Sequence, residues 1–470
     1  MTSTIAETCW WLREALSHDE FRGETAPSVT GDVTADVAIV GGGYTGLWTA
    51  WHLKRLDPGI DVLVLERDEC GFGPSGRNGG FLNGFYEFMP GLREHYGDDG
   101  ARAVLAAGDS AVAGVVGWME EHGVDAWYRA APSLGVASSP SQVGAWDDVV
   151  EAARGLGLED RVSVLDRDAV ARVCASPSFE SGFVLRDGGG TLQPARLARA
   201  LRQACLDAGV RIFERTPVTP PDPGTVGRVE TAGGIVRAKT IVLGANAWMA
   251  AWPGFRRRIV ARATYIALTA PAPDRLADIS WTDGTGVYDV RSSLRYLRTT
   301  PDGRIALGVG GQRGSWTGRI DPRFDTDADG VGHAVRAIHQ FFPGFRGVPI
   351  EAGWGGPIDV SPTHQPYVGT LPHGRTHFAL GYTGNGVGPT HLMGRILAAK
   401  ALGLENDDTA LPLVGAEPRP WPRQPFRGAG ASIVNAAVVR RDDARDAGRS
   451  PDAITRFVSE LPDRFGYHIG

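Results

Sequence analysis

The stretch from Asp36 to Glu66 constrains this chain more than any other. Asp36-Val-Ala-Ile-Val40 reads as a buried strand, Gly41-Gly-Gly-Tyr-Thr-Gly46 as a tight turn, and Leu47 to Leu56 as a helix stopped at Asp57-Pro-Gly59. A second apolar strand, Asp61-Val-Leu-Val-Leu65, ends in Glu66, so the unit is a βαβ. In Gly41-x-Gly43-x-x-Gly46 the first glycine permits the turn, the second lets backbone reach a pyrophosphate, and the third lets helix pack on strand. The phosphate then meets the helix N-terminus, with Tyr44 and Thr45 in its first turn. Glu66 follows Gly46 by 20 residues, where a carboxylate accepts hydrogen bonds from ribose hydroxyls. A lone GxGxxG is a weak signal; the flanking strand and helix and Glu66 together make this one a dinucleotide site.

Composition narrows the rest. With 64 Gly and 31 Pro in 470 residues, the chain carries too much turn for a helical bundle, and its length suits two or three domains. A net charge of −6 argues against a nucleic-acid partner bound by charge and favours a small-molecule one. Cys9, Cys70, Cys174 and Cys205 form no CxxC pair, and no His/Asp/Glu cluster has metal-ligand spacing, so neither a disulfide framework nor a metal is expected. No signal sequence or membrane span is read, and the expected location is the cytoplasm. Of 48 basic residues only Lys54, Lys239 and Lys400 are lysines.

Further along, helices are expected at 101–122, 145–156 and 192–208, and strands at 128–138, 210–215 and 236–247. Aromatic strands are expected from Arg256 to Gly311. A strand at Thr376–Leu380 leads into Gly381-Tyr-Thr-Gly-Asn-Gly-Val-Gly388 and a helix from Pro389 to Leu402; the tail beyond Arg427 reads as a helical extension. NAD and FAD share the first motif. The loop Ser75-Gly76-Arg77-Asn78-Gly79-Gly80, within 15 residues of Glu66, fits a cofactor that reaches inward past its pyrophosphate, as FAD does; a plain surface loop is the alternative.

These motifs, with Leu65-Glu66-Arg67 and Val242-Leu-Gly244-Ala-Asn-Ala247, resemble the D-amino acid oxidase-type FAD-dependent oxidoreductases, in the branch of gamma-glutamylputrescine oxidoreductase-like enzymes. The resemblance implies a mixed α/β fold in which a Rossmann-like FAD domain (31–100, 182–252 and 351–416) is interleaved with an antiparallel-sheet substrate domain (101–181 and 253–350), followed by a C-terminal extension (417–470). Glu66 would hold the adenosine ribose, Val218 would meet the adenine through its backbone, Ser75 to Gly80 would line the flavin, and Arg67 and Gly244 would also contact the cofactor. The turn Gly384-Asn385-Gly386-Val387 opens a helix whose positive end would face the flavin N1–C2=O edge, a contact of about 1–2 kcal/mol when partly buried. Sarcosine-oxidase-like relatives tether flavin through a late cysteine; here none follows Cys205, so non-covalent FAD is expected.

The implied reaction is oxidation of an amine or amino acid, with O2 or another electron acceptor; an FAD-dependent hydroxy-acid or alcohol dehydrogenase and a non-catalytic flavoprotein are the alternatives. Tyr265, Tyr296 and His364 are the catalytic candidates, with Tyr288, Arg291, Arg298 and Tyr382 as further substrate contacts. Relatives that react fast with O2 place a lysine over the flavin, and none of the three lysines falls on the expected substrate sheet.

Overall fold

The computed structural model describes residues 4–315, 317–424, 426–464 and 467. Behind short N-terminal helices come β1 (Val33–Val40), α1 (Tyr44–Leu56), β2 (Val62–Leu65), α2 (Met89–Glu121), β3 (Ser133–Ala137), β4 (Val162–Leu165) and β5 (Ser181–Leu185). Next are α3 (Pro194–Asp207), β6 (Arg211–Phe213), β7 (Arg228–Thr231), β8 (Gly234–Leu243), β9 (Val260–Thr269), β10 (Gly286–Asp289), β11 (Arg295–Thr299) and β12 (Ile305–Ser315). The chain ends with α4 (Ala328–Phe341), β13 (Ile350–Val360), β14 (Tyr367–Thr370), β15 (Thr376–Leu380), α5 (Pro389–Ala401), α6 (Phe426–Asp446) and α7 (Ala453–Arg464).

One sheet has the order β14-β15-β8-β1-β2-β6, with β7 added on β8. Its central pairs are parallel, and every residue of β2 is buried, as a strand covered on both faces requires. Leu47, Trp48 and Leu53 of α1 pack with Leu392 and Ile396 of α5 and with Val104, Val112 and Trp118 of α2 in one core. Among the described residues α2, with the turn before it, is the one helix long and apolar enough to cross a membrane. Its apolar stripe is spent on this core instead, and Gly97, at φ 69°, interrupts its early turns.

The second sheet has eight strands in the order β13-β9-β12-β11-β10-β3-β5-β4. It is antiparallel as expected except for the parallel pair β10–β3. Two edges of the expected domain partition shift: β5 and all of β13 pair inside this sheet, because β5 stays paired with β3 across Gly182 and β13 stays paired with β9 from Ile350 to Val360, across one register shift at Glu351. The helix expected from Ala101 begins at Met89 and packs on the parallel-sheet side. The C-terminal extension is helical, as expected. It grips the second sheet through Arg291, which pairs with Asp446 at 2.7 Å, and through Arg262, which donates to Asn435 at 3.0 Å.

Register decides which side chains of the second sheet look toward the first. Trp354, Ile266, Gly308, Tyr296, Tyr288 and Gly135 are successive cross-strand partners, so they share one face. That face meets the loop after β2: Trp354 Nε1 donates to Arg77 O at 2.9 Å, and Arg77 donates back to Gly355 O at 3.0 Å.

Candidate functional site

The first turn of α1 is built from residues that tolerate no side chain. Gly41 sits at φ 109°, and a Cβ there would stand 2.6 Å from Gly244 O; at Gly46 it would stand 1.9 Å from Gly41 O. Gly43 caps α1 without a side chain, and the Ser75 hydroxyl accepts from Tyr44 N at 2.9 Å. A Cβ on Gly43 would lie 2.8 Å from that hydroxyl. In front of this turn a cleft of about 1280 Å³, open solvent at its mouth included, runs between the two sheets.

At one end of the cleft stand Glu66, Arg67, Asp68, Thr216, Pro217 and Val218. Glu66 takes hydrogen bonds from Gly42 N at 2.7 Å and Asp68 N at 2.9 Å, and burial pushes its carboxyl above the usual range against those bonds. The Arg67 guanidinium lies 4.6 Å over the Trp248 ring and pairs with Asp68 at 2.7 Å, so an aromatic wall and a cation flank this end.

At the other end are Ile358, Asp359, Tyr382, Gly384, Gly386, Val387 and Thr390, with Asn246 and Asn78 nearby. Asp359 is fully buried and accepts from Gly381 N at 2.6 Å through Oδ2. Burial raises its carboxyl to about 7. Its Oδ1 and the Oδ1 of Asn246 are both buried with no hydrogen-bond partner, although buried polar atoms are normally paired. Orphaned oxygens bordering a cleft fit a ligand rich in hydroxyls, and a helix N-terminus with a glycine turn fits its phosphates. The residues present therefore suit a dinucleotide with a polyhydroxylated linker, as FAD has.

Residues 36–400 match the family model described as FAD dependent oxidoreductase, DAO. The chain belongs to the DAO family of FAD-dependent oxidoreductases. It is 31% identical over 373 residues to gamma-glutamylputrescine oxidoreductase of Escherichia coli (strain K12), a match spanning 78% of this chain and 83% of that protein. It is 29% identical over 390 residues to the probable oxidoreductase OrdL of Haemophilus influenzae (strain ATCC 51907 / DSM 11121 / KW20 / Rd), covering 80% and 85%. Among solved structures, glycine oxidase from Geobacillus kaustophilus shares the fold, with a TM-score of 0.66 at 21% identity over 82% of this chain and all of that one. The DAO-family chain is thus an enzyme, and FAD is its cofactor.

The residues singled out in this DAO-family enzyme from sequence divide by position. Gly41, Gly43, Tyr44, Thr45, Glu66, Arg67, Ser75, Asn78, Val218, Gly244, Gly384, Gly386 and Val387 line the cleft. Gly46, Gly76, Arg77, Gly79, Gly80 and Asn385 do not. A Cβ on Gly76 would lie 2.2 Å from Gly71 O, on Gly79 2.7 Å from the Tyr296 ring, and on Gly80 2.1 Å from Leu192 O, so these glycines serve close packing. Arg77 turns away to Asp325 at 2.6 Å. Asn78 staples the loop, donating to Ser75 O at 2.8 Å and accepting from Gly80 N at 2.7 Å. Asn385 reaches down to the carboxylate of Glu87.

The three catalytic candidates separate as well. Tyr296 belongs to the sheet face above Gly79, and its ring lies 6.0 Å from that of Phe81. Tyr265 precedes Ile266 by one residue and so points through the opposite face, where it packs against Gly330 and donates to Arg323 O at 2.6 Å. It is removed from the site. His364 occupies the turn between β13 and β14 at φ 58° and does not line the cleft. Of the further candidates, Tyr382 lines the cleft, Arg291 is taken by the C-terminal helix, and Arg298 is buried against Gly80, donating to Leu192 O and lying 5.3 Å over Trp11.

Asp359, Asn246 and Trp248 were not singled out. Asp359 had a signal, an acid between Ile358 and Val360 in an apolar strand; Asn246 stood inside the motif Val242–Ala247 with no role of its own, and Trp248, just past that motif, had no signal.

Proposed function

We propose that this DAO-family enzyme oxidises the C–N bond of an amine or amino acid. FAD, when bound, would supply the two-electron acceptor, its N5 taking a hydride from the carbon bearing nitrogen, and water would hydrolyse the resulting imine to a carbonyl compound and ammonia or a smaller amine. The chain's own residues bind and orient. In this reading Glu66 holds the ribose, the N-terminus of α1 behind Gly43 holds the pyrophosphate, Asp359 and Asn246 take hydroxyls of the linker, and the turn Gly384–Val387 borders the flavin ring. Tyr296 and its neighbours on the same sheet face roof the ring and exclude water.

One observation carries the choice of an amine. Arg67 is the sole basic side chain among the described residues lining the cleft, and it stands at the Glu66 end, stacked on Trp248. The other end, where the turn Gly384–Val387 borders the flavin in this reading, offers no cation among the described lining residues to hold a substrate carboxylate. The 31% identical Escherichia coli relative is named for an amine substrate, which agrees. The test is anaerobic mixing of the FAD-loaded protein with a panel of amines, amino acids and hydroxy acids while the visible flavin absorbance is followed. Bleaching by amines supports the reading; bleaching by hydroxy acids alone replaces it with the alcohol-oxidising alternative, and bleaching by none removes both.

A further inference from the structure

A second, smaller cavity lies where the C-terminal extension docks on the second sheet. It measures about 400 Å³, open solvent at its mouth included, and shares no lining residue with the cleft. Arg262 of β9, Ser293, Gly311 of β12 and Asn435 of α6 line it, with Val438 and Val439 beside them. Pairing of β9 with β13 stays in register from Val260 to Leu268, so Arg262 shares the face of Ile266, and its partner Ile358 borders the cleft. Room for the guanidinium comes from β12, which spends extra residues between Val309 and Arg313, the partners of Tyr265 and Ala263. Gly311 stands in that bulge at φ 71°, and a Cβ on it would lie 2.9 Å from Arg262 Nη2.

Arg262 is the one charged side chain lining this cavity among the described residues. Its Nη2 makes both hydrogen bonds of the group, to Gly311 O at 2.8 Å and to Asn435 Oδ1 at 3.0 Å, while its Nε is buried with no partner. Burial holds the guanidinium below the usual arginine value, and no carboxylate opposes it. The acids of α6 are engaged elsewhere: Asp446 lies 2.7 Å and Asp443 3.4 Å from Arg291, and Asp442 lies 3.4 Å from Arg441, which also donates to Ser292. A water on the bare Nε satisfies one N–H and leaves the buried charge uncompensated; an anion relieves both. The Ser293 hydroxyl and the Asn435 amide nitrogen, which make no hydrogen bond among the described residues, line the same cavity and add neutral donors to the cation.

We propose that Arg262, Ser293 and Asn435 form a binding site for a small carboxylate anion, which neutralises the guanidinium and fastens the C-terminal helix α6 to the second sheet. One guanidinium flanked by neutral donors matches a single negative charge, whereas a phosphate carries about two. Because the cavity and the cleft share no lining residue, the anion is a free solute rather than the reacting end of the substrate, and the inference stands apart from the amine reading.

The experiment compares thermal unfolding of the FAD-loaded full-length protein in sodium acetate and in sodium chloride of equal ionic strength. Tm should rise with acetate concentration in the wild type, since a ligand that binds only the folded state stabilises it by mass action. Arg262→Gln removes the charge and should abolish the acetate-dependent rise. Asn435→Asp sets a carboxylate beside Nη2, where the amide oxygen already stands, so its Tm in chloride should exceed that of the wild type and acetate should add nothing. A wild-type Tm equal in the two salts, or a rise that survives both substitutions, overturns the site; if Arg262→Gln does not fold, the Asn435→Asp comparison alone decides. Acetate added during anaerobic flavin reduction by an amino acid separates the two sources of a carboxylate. An unchanged apparent Kd supports the free solute; a raised one, absent in Arg262→Gln, overturns that assignment and gives the site to the substrate's own carboxylate.

Discussion

The hydroxyls of Thr45 and Tyr382 lie 2.9 Å apart and join the first turn of α1 to the turn before α5, 337 residues later in the chain. Both side chains line the cleft. The two backbone turns assigned to the cofactor are therefore held at a fixed spacing before any ligand arrives, and preorganisation of this kind lowers the ordering cost of binding.

Gly43→Val tests the phosphate end of that arrangement. The new Cβ would stand 2.8 Å from the Ser75 hydroxyl, and the two methyl groups would occupy the approach to the helix N-terminus. The variant should fold, judged by circular dichroism, and purify with little or no flavin. Full yellow occupancy would show that the turn does not hold the pyrophosphate.

Asp359 makes stability depend on pH in a defined direction. Its carboxyl titrates near 7 when folded against 3.8 as the reference value, so between these values the folded state holds a proton that the unfolded chain releases. Stability is therefore lost as pH rises from about 4 to 7, by at most about 4 kcal/mol from this group. Asp359→Asn keeps an acceptor for Gly381 N and cannot ionise. Melting curves of the FAD-free protein at pH 5 and pH 8 should show a smaller fall in Tm for Asp359→Asn than for the wild type; equal falls would mean that Asp359 is already ionised.

The βαβ unit and its glycines were legible because the signal is local: strand, turn, helix and carboxylate lie within about thirty residues, and each piece constrains the next. The choice between Tyr265 and Tyr296 was not. It depends on strand parity, and β9 carries a register shift between Ala263 and Tyr265 that no residue pattern announces. Arg77 looked like a flavin contact because it sits in the right loop, but Asp325, which captures it, is 248 residues away. Asn385 looked like a flavin contact for the same reason, since Glu87, which its side chain meets, is 298 residues away.

Cysteine placement bears on how FAD is held. All four cysteines are buried and none lines the cleft. Acid precipitation of the holoenzyme should leave a colourless pellet and release FAD into the supernatant. Colour retained on the polypeptide would require a covalent link through a residue other than cysteine.

Reaction with O2 should be slow. Lys54 is tied to Pro58 O at 3.0 Å and Ile60 O at 2.8 Å, Lys239 pairs with Asp36 at 2.7 Å on the surface, and Lys400 lies in the last turn of α5, so among the described residues no lysine ammonium borders the cleft. Arg298, the buried cation by the loop, spreads its charge over a guanidinium engaged with Leu192 O. In stopped-flow reoxidation of the substrate-reduced enzyme, air-saturated buffer should act more slowly than a quinone or phenazine acceptor. Reoxidation by O2 faster than steady-state turnover would show a true oxidase with another source of positive charge.

The most direct test is a single anaerobic turnover. FAD-loaded enzyme is mixed with a slight excess of a primary amine that bleaches it, and the products are quantified against the flavin reduced. The proposed reaction requires one carbonyl group and one ammonia per FAD bleached. Bleaching without a carbonyl product derived from the amine would contradict it.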